Sequence, residues 1–130
     1  THDRLNEYLA KMVEADGILL GSPVYFADAS ASIKGLIERC GMVSGANGGL
    51  LKRKVGAAVA AVRRAGAIRA FDTMNHLFQH AQMIIVGSSY WNVGMGRDPG
   101  QVKEDAEAAR TMETLGKNMA WLLKKIHHEG

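Results

Sequence analysis

Apolar and polar positions follow two kinds of pattern along this chain. Apolar residues at three- and four-residue spacing predict four helices, which begin near residues 4, 31, 67 and 99. Between them, continuously apolar runs at about residues 17–21, 55–62 and 83–87 are typical of buried strands. Strands that alternate with helices in this way predict an α/β fold, in which parallel strands are joined by right-handed crossovers.

Turn and capping residues set the expected boundaries. A Gly21-Ser-Pro23 turn is predicted to end the first strand, Ser30 or Asp28 to cap the second helix, and Gly41 to end it. Asp98 is predicted to cap the last helix, with Gln101 as its reciprocal cap. That helix carries an expected buried stripe: Val102, Ala106, Ala109, Met112, Leu115, Met119, Leu122 and Ile126.

Composition narrows the class of protein. The 130 residues are 47% apolar and 22% charged, as expected for one globular domain with a sizeable core. The net charge of +3 comes from scattered basic residues, which argues against nucleic acid as a partner. A single cysteine and the lack of a long apolar run favour a reduced, cytoplasmic setting and no membrane partner.

Three segments follow the predicted strands: residues 22–26, 63–66 and 88–92. Because ligands bind outside the carboxyl ends of strands in open α/β sheets, these segments form the expected site. They supply backbone polar groups, two arginines and four aromatic side chains, namely Tyr25, Phe26, Tyr90 and Trp91. A flat ring that accepts electrons suits this combination, since arginine stabilises negative charge on a reduced ring. Tyr90 and Trp91 fit packing or a subunit interface equally well.

The same residues carry a family resemblance. The stretches at 21–26, 30–39, 54–59, 63–66 and 83–88 resemble successive strands and loops of the flavodoxin-like NAD(P)H-dependent FMN reductases, in particular the iron–sulfur flavoprotein branch. The resemblance implies a three-layer αβα fold with a parallel sheet, bound FMN, NAD(P)H as co-substrate, a small-molecule electron acceptor and a homodimer or tetramer. It implies flavin contacts at ten residues: Ser22, Pro23, Val24, Tyr25, Phe26, Val62, Arg63, Arg64, Ala65 and Gly66.

The chain also departs from that family. It supplies only the equivalents of strands 3, 4 and 5 of a flavodoxin-like sheet, whose FMN site lies between strands 1 and 3. The first strand, its phosphate-binding loop and the cluster cysteines have no counterpart in residues 1–130. We therefore expect a single flavodoxin-like domain that is incomplete at its N-terminus, and a chain that does not itself support an iron–sulfur cluster.

Other interpretations stay open on the sequence alone. One alternative is a chain that kept the fold without the cofactor and serves as a partner-binding or assembly module. Asp72, His76 and His80 share a helical face, but a solvated polar face is favoured over a metal site because no fourth ligand is evident. Cys40 falls on an apolar stripe and is expected to be a buried hydrophobe rather than a nucleophile.

Overall fold

The sheet is organised around one long central strand. The computed structural model describes residues 3–128. Its strands are β1 (Gly17–Tyr25), β2 (Asp28–Ala29), β3 (Val55–Val62), β4 (Ile84–Ile85) and β5 (Val93–Met95). Its α-helices are α1 (Leu5–Glu14), α2 (Ala31–Ala46), α3 (Ala67–His80) and α4 (Ala106–His127), with a short 3-10 helix at Gln101–Glu104.

The sheet order is β2-β1-β3-β4, and β5 pairs with the far half of β3. β1 runs parallel to β3 from Gly17 opposite Val55 to Pro23 opposite Ala61. β4 and β5 are also parallel to β3, whereas β2 is antiparallel to β1. The predicted α/β class is therefore confirmed, with a mixed sheet in place of a purely parallel one.

The helices lie on both faces of the sheet, as expected for three layers. α1, α2 and α3 cover one face, where the main core includes Leu20, Cys40 and Phe78. α4 covers the other face alone, over a small cluster of buried residues: Val55, Ala57, Val86 and Leu115. β3 permits close packing on both faces because its side chains are small; a Cβ at Gly56 would lie 3.0 Å from the Phe78 ring.

The predicted turn at Gly21-Ser-Pro23 is wrong. The strand continues through these residues to Tyr25, and the chain turns at Phe26 and Ala27 to enter β2. β2 pairs only with Val24 and Tyr25, so Pro23 meets no β2 partner on the side away from β3. Proline lacks the N–H that a strand donates to its neighbour, and it is tolerated there because no neighbouring strand needs that N–H.

Gly41 does not end its helix. Ser30 caps α2 as predicted, since its hydroxyl accepts a hydrogen bond from Ile33 N at 3.4 Å. The helix continues because its buried face extends to Ser44, which is 2% exposed and whose hydroxyl accepts from Leu51 N at 3.3 Å. It ends at Ala46, before two glycines with positive φ.

The predicted third strand is shorter than expected and is followed by one that the sequence did not reveal. β4 includes only Ile84 and Ile85, and the chain leaves the sheet before it rejoins β3 as β5. We call residues 86–92, the segment that connects β4 to β5, the bulge. Gly94 in β5 hid the strand, because a three-residue segment that contains glycine carries no periodic signal.

The start of the last helix also differs from the prediction. Gln101 Oε1 accepts hydrogen bonds from Arg97 N and Asp98 N, as expected of a reciprocal cap. The predicted Asp98 cap is wrong: the 3-10 helix has Gly100 as its N-cap without a side-chain cap, and α4 begins after Asp105, whose carboxylate accepts from Ala108 N at 3.0 Å. The buried stripe of α4 consists of Ala108, Thr111 and Leu115, whereas four residues predicted to be buried are exposed, namely Val102, Ala106, Ala109 and Ile126.

Candidate functional site

Two of the three predicted segments meet at the carboxyl edge of the sheet. The hairpin tip, residues 24–29, joins β1 to β2, and the 63–66 turn joins β3 to α3. Gly66 has φ +90°, and a Cβ there would lie 2.8 Å from Ala27 Cα and 3.3 Å from Val24 Cγ1. The two segments are therefore in contact, and a residue larger than glycine at position 66 would separate them.

The turn within the hairpin tip is unusual in its residues. Phe26 (φ 48°) and Ala27 (φ 61°) both adopt left-handed backbone conformations. A two-residue turn of this kind matches the twist of the flanking strands, but asparagine and glycine are the residues that favour it. Tyr25 and Phe26 are exposed, Phe26 fully so, although such large apolar side chains are usually buried.

Hydrogen bonds hold this strained tip in place. Ser22 is buried, and its hydroxyl accepts from Ser30 N at 3.0 Å and donates to Pro23 O at 2.8 Å. Its side chain therefore closes the base of the hairpin. Asp28 fastens the other side of the tip to α3, where its carboxylate accepts from Thr73 Oγ1 at 2.6 Å and from Arg69 Nε at 3.1 Å.

The 63–66 turn offers free donors and positive charge. Within residues 3–128, the backbone N–H groups of Arg63, Arg64 and Ala65 donate no hydrogen bond, and neither arginine has an ion-pair partner. Both arginine side chains are exposed, whereas Val62 is buried and anchors the turn in the core. These groups suit the polar edge of a ligand that gains negative charge.

The third predicted segment, residues 88–92, lies in the bulge instead of at the end of a strand. Asn92 returns the chain to the sheet, since its Nδ2 donates to Ala58 O at 3.1 Å and its carbonyl accepts from Ala60 N. Tyr90 and Trp91 are exposed, and the Trp91 ring lies 6.5 Å from that of Phe71. Trp91 also lines a cavity of about 290 Å³ with Arg64 and Gly66, so the bulge borders the 63–66 turn.

A longer groove of about 640 Å³ runs along the α4 face of the sheet. Its walls are mainly apolar, and part of it is lined by Gly21, Ser22 and Pro23. Leu19 points into this region and is 56% exposed. The α4 face is therefore only partly covered.

The other side chains singled out in the sequence lie on an exposed helical face or in the core. Asp72, His76 and His80 are exposed on α3, and no group of three or more His, Cys, Asp or Glu side chains in residues 3–128 is placed to hold a metal. Burial raises the pKa of the Cys40 thiol to about 11, so the thiolate needed for nucleophilic chemistry is scarce at neutral pH. No helix in the described part of the chain has the length and apolarity to cross a bilayer.

The residues present fit one edge of a flavin. The hairpin tip and the 63–66 turn bring aromatic faces, free N–H groups and guanidinium groups together. Gly66 leaves space that a Cβ would fill with a clash. A flavin needs such donors along its pyrimidine edge and positive charge when it is reduced.

A family model described as NADPH-dependent FMN reductase matches residues 1–98 of the chain. The chain belongs to the NADPH-dependent FMN reductase family. Among curated members, an iron-sulfur flavoprotein of Methanocaldococcus jannaschii is 40% identical over 131 residues, which cover 95% of this chain and 67% of that protein. The chain spans 60 to 68% of the length of the curated relatives it matches.

Solved structures show the fold of this FMN reductase family member. A flavone reductase superposes with a TM-score of 0.72 at 21% identity, over 98% of this chain and 49% of that one. A flavodoxin, WrbA-like protein from Agrobacterium tumefaciens gives 0.53 at 14% identity, over 88% and 89%. The predicted family and the flavodoxin-like fold are thus confirmed.

Sequence reasoning missed two functional details of the site. Asp28 was considered only as a helix cap, although it joins the hairpin tip to α3 across 41 and 45 residues of sequence. The cavity between the bulge and the 63–66 turn was also missed. An Asp that directly follows an exposed aromatic turn was the available signal, but its partners become evident only in the folded chain.

Proposed function

We propose that this chain forms part of an FMN-binding, NAD(P)H-dependent oxidoreductase that passes electrons to a small acceptor such as free flavin, a quinone or an iron–sulfur partner. The contact between the hairpin tip and the 63–66 turn carries the proposal, together with family membership. It brings free backbone donors and positive charge to one edge of the sheet. A cofactor-free module would not need either feature.

Each segment has a distinct role in this proposal. The backbone of residues 23–26 would hold the ring, and Tyr25 and Phe26 would shield it from water. The N–H groups of the 63–66 turn donate to the polar edge of the ring, and Arg63 or Arg64 offsets the negative charge of the reduced form. The flavin, when bound, supplies the hydride and electron transfer, so no acid or base is required of the protein.

Assembly and location belong to the same proposal. Four exposed aromatic residues, Tyr25, Phe26, Tyr90 and Trp91, suit the interface of a homodimer or tetramer. We propose a cytoplasmic protein with neither nucleic acid nor membrane as partner. Four curated relatives are named iron-sulfur flavoproteins; Cys40 alone cannot hold such a cluster, so our proposal assigns none to residues 1–130.

Visible absorption tests this function. We expect the purified chain, incubated with FMN and freed of excess ligand, to show oxidised-flavin bands that bleach when NADPH is added without oxygen. A chain that takes up no FMN at any concentration would contradict the proposal and favour the cofactor-free module. Bands that do not respond to NADPH or NADH would support FMN binding and contradict the proposed reductase activity.

A pair of variants separates the roles of the basic residues. Arg64→Ala should weaken FMN binding by about tenfold, because a charge-assisted contact is lost. Lys52→Ala removes another exposed positive charge, which lies shortly before the N-terminal end of β3. This variant should change the affinity for FMN less than about twofold. If Arg64→Ala instead raises the KM for NADPH but not for NADH, the arginine holds the 2′-phosphate of the nucleotide.

A further inference from the structure

Asp28 occupies a position where several elements meet. Its carboxylate accepts hydrogen bonds from its neighbour Ala29 N at 2.7 Å, from Thr73 Oγ1 at 2.6 Å and from Arg69 Nε at 3.1 Å. Thr73 and Arg69 are one helical turn apart on α3, so both face the hairpin tip. A single short side chain therefore ties the tip to a rigid helix.

The tie acts on a backbone that needs external support. Phe26 and Ala27 hold left-handed conformations without the usual asparagine or glycine, and such strain persists only when surrounding contacts fix it. The contact with Gly66 limits movement toward the 63–66 turn, and Ser22 closes the base of the hairpin. Asp28 supplies the remaining attachment, on the side of α3.

We propose that Asp28 is a positioning residue, which holds the hairpin tip in its flavin-receiving position against the 63–66 turn before the flavin arrives. The inference rests on the proposed function, because the tip presents Tyr25 and Phe26 to the ring. A tip that is already in place spares the ligand the cost of ordering it, and so increases affinity without touching the ligand. The hydrogen bonds also lower the pKa of this carboxyl from 3.8 to about 2, so the acceptor keeps its charge below the pH at which an ordinary aspartate becomes protonated.

Graded substitutions test the role. Asp28→Ala removes all three acceptor contacts and should weaken FMN binding by about tenfold. Asp28→Asn keeps an oxygen for Ala29 N and Thr73 Oγ1, so it should restore part of the affinity. Asp72→Asn is the matched control, because Asp72 is an exposed carboxylate on α3, the helix that Asp28 contacts. This substitution should leave the affinity within about twofold of the original.

Amide hydrogen exchange supplies a readout that does not need the ligand. Without FMN, the amides of Ala29 and Ser30 should exchange faster in Asp28→Ala than in Asp72→Asn, while the amides of β3 keep their protection. Saturating FMN should give the same absorption spectrum in Asp28→Ala as in the original chain. A positioning residue changes the concentration required for binding and not the bound state.

The outcomes separate the two proposals. If the original chain binds FMN and Asp28→Ala binds it equally well, the positioning role is wrong while the proposed function stands. If the original chain binds no FMN, the proposed function fails, and exchange alone decides whether Asp28 holds the tip. Unchanged exchange at Ala29 and Ser30 in Asp28→Ala would overturn the positioning role in either case.

Discussion

The two faces of the sheet are packed to different degrees. On the face covered by three helices, Cys40, Met74 and Phe78 are completely buried. On the face covered by α4 alone, Leu19 and Met112 border an open groove, and four of residues 3–128 form a buried cluster. Residues of similar chemistry therefore contribute differently to stability, according to the number of elements that cover them.

The hairpin tip and the 63–66 turn lie where the two faces meet. β1 sends alternate residues to opposite faces, so Leu20 belongs to the well-packed side, whereas Leu19 and Pro23 border the groove. The site is thus supported from one side by α3 and left open on the other. This arrangement suits a ligand that approaches from the open side and contacts a rigid edge.

Phe78→Ala should have the largest effect on stability. The ring is fully buried and packs against Gly56 and Met83, so its removal leaves a cavity that the rigid sheet cannot fill. We expect a loss of about 3 to 5 kcal/mol in the free energy of unfolding, measured by urea denaturation. A loss below about 1 kcal/mol would show that this face is not the main core.

Leu115→Ala should cost less, although this residue is 2% exposed. Its neighbours on the α4 face border the groove, so they can move or admit water after the substitution. We expect about 2 kcal/mol by the same measurement, at the low end for a buried leucine. An effect as large as that of Phe78→Ala would mean that both faces are equally well packed.

Asp28→Asn tests the support of the site through its dependence on pH. The folded pKa of about 2 lies below the ordinary value of 3.8, so the carboxylate contributes stability above pH 3.8 and loses it as the pH falls toward 2. The original chain should therefore be more stable than the variant at pH 6, and this difference should shrink at pH 2.5. A difference that does not change with pH would contradict the charged contact.

Leu19→Ala should have the smallest effect. Leu19 is 56% exposed toward the groove, so we expect a change within about 0.5 kcal/mol. Leu20→Ala is the matched control at the next position, because Leu20 faces the three-helix side and is 6% exposed; it should cost about 2 kcal/mol or more. Equal losses for the two variants would remove the distinction between the faces.

The sequence predicted most elements because their signals are local. The run at Val55–Val62 and the apolar spacing of α3 placed β3 and α3 within one or two residues. Ser30 was found as a cap because its partner is only three residues away. These features depend on short-range chemistry, which the sequence contains directly.

The missed features depend on contacts between distant residues. Pro23 suggested a turn, yet it lies in a strand. It pairs with β3, and the side of Pro23 that faces β3 does not have to donate an N–H. Asp98 had a good capping pattern, but the hydrogen bond from Met95 N and the start of α4 both use Asp105. The site segments at 22–26 and 63–66 were predicted to be neighbours and are in contact, whereas their binding of flavin remains a prediction.

Backbone amide chemical shifts during an FMN titration test the central claim most directly. With isotope-labelled chain, the largest changes should fall on residues 24–26 and 63–66, and they should saturate together with a single dissociation constant. Changes in the α4 groove should be smaller, because the proposed ring contacts lie at the strand ends. Shifts confined to the groove, or no shifts at these two segments, would contradict the assignment of the flavin site.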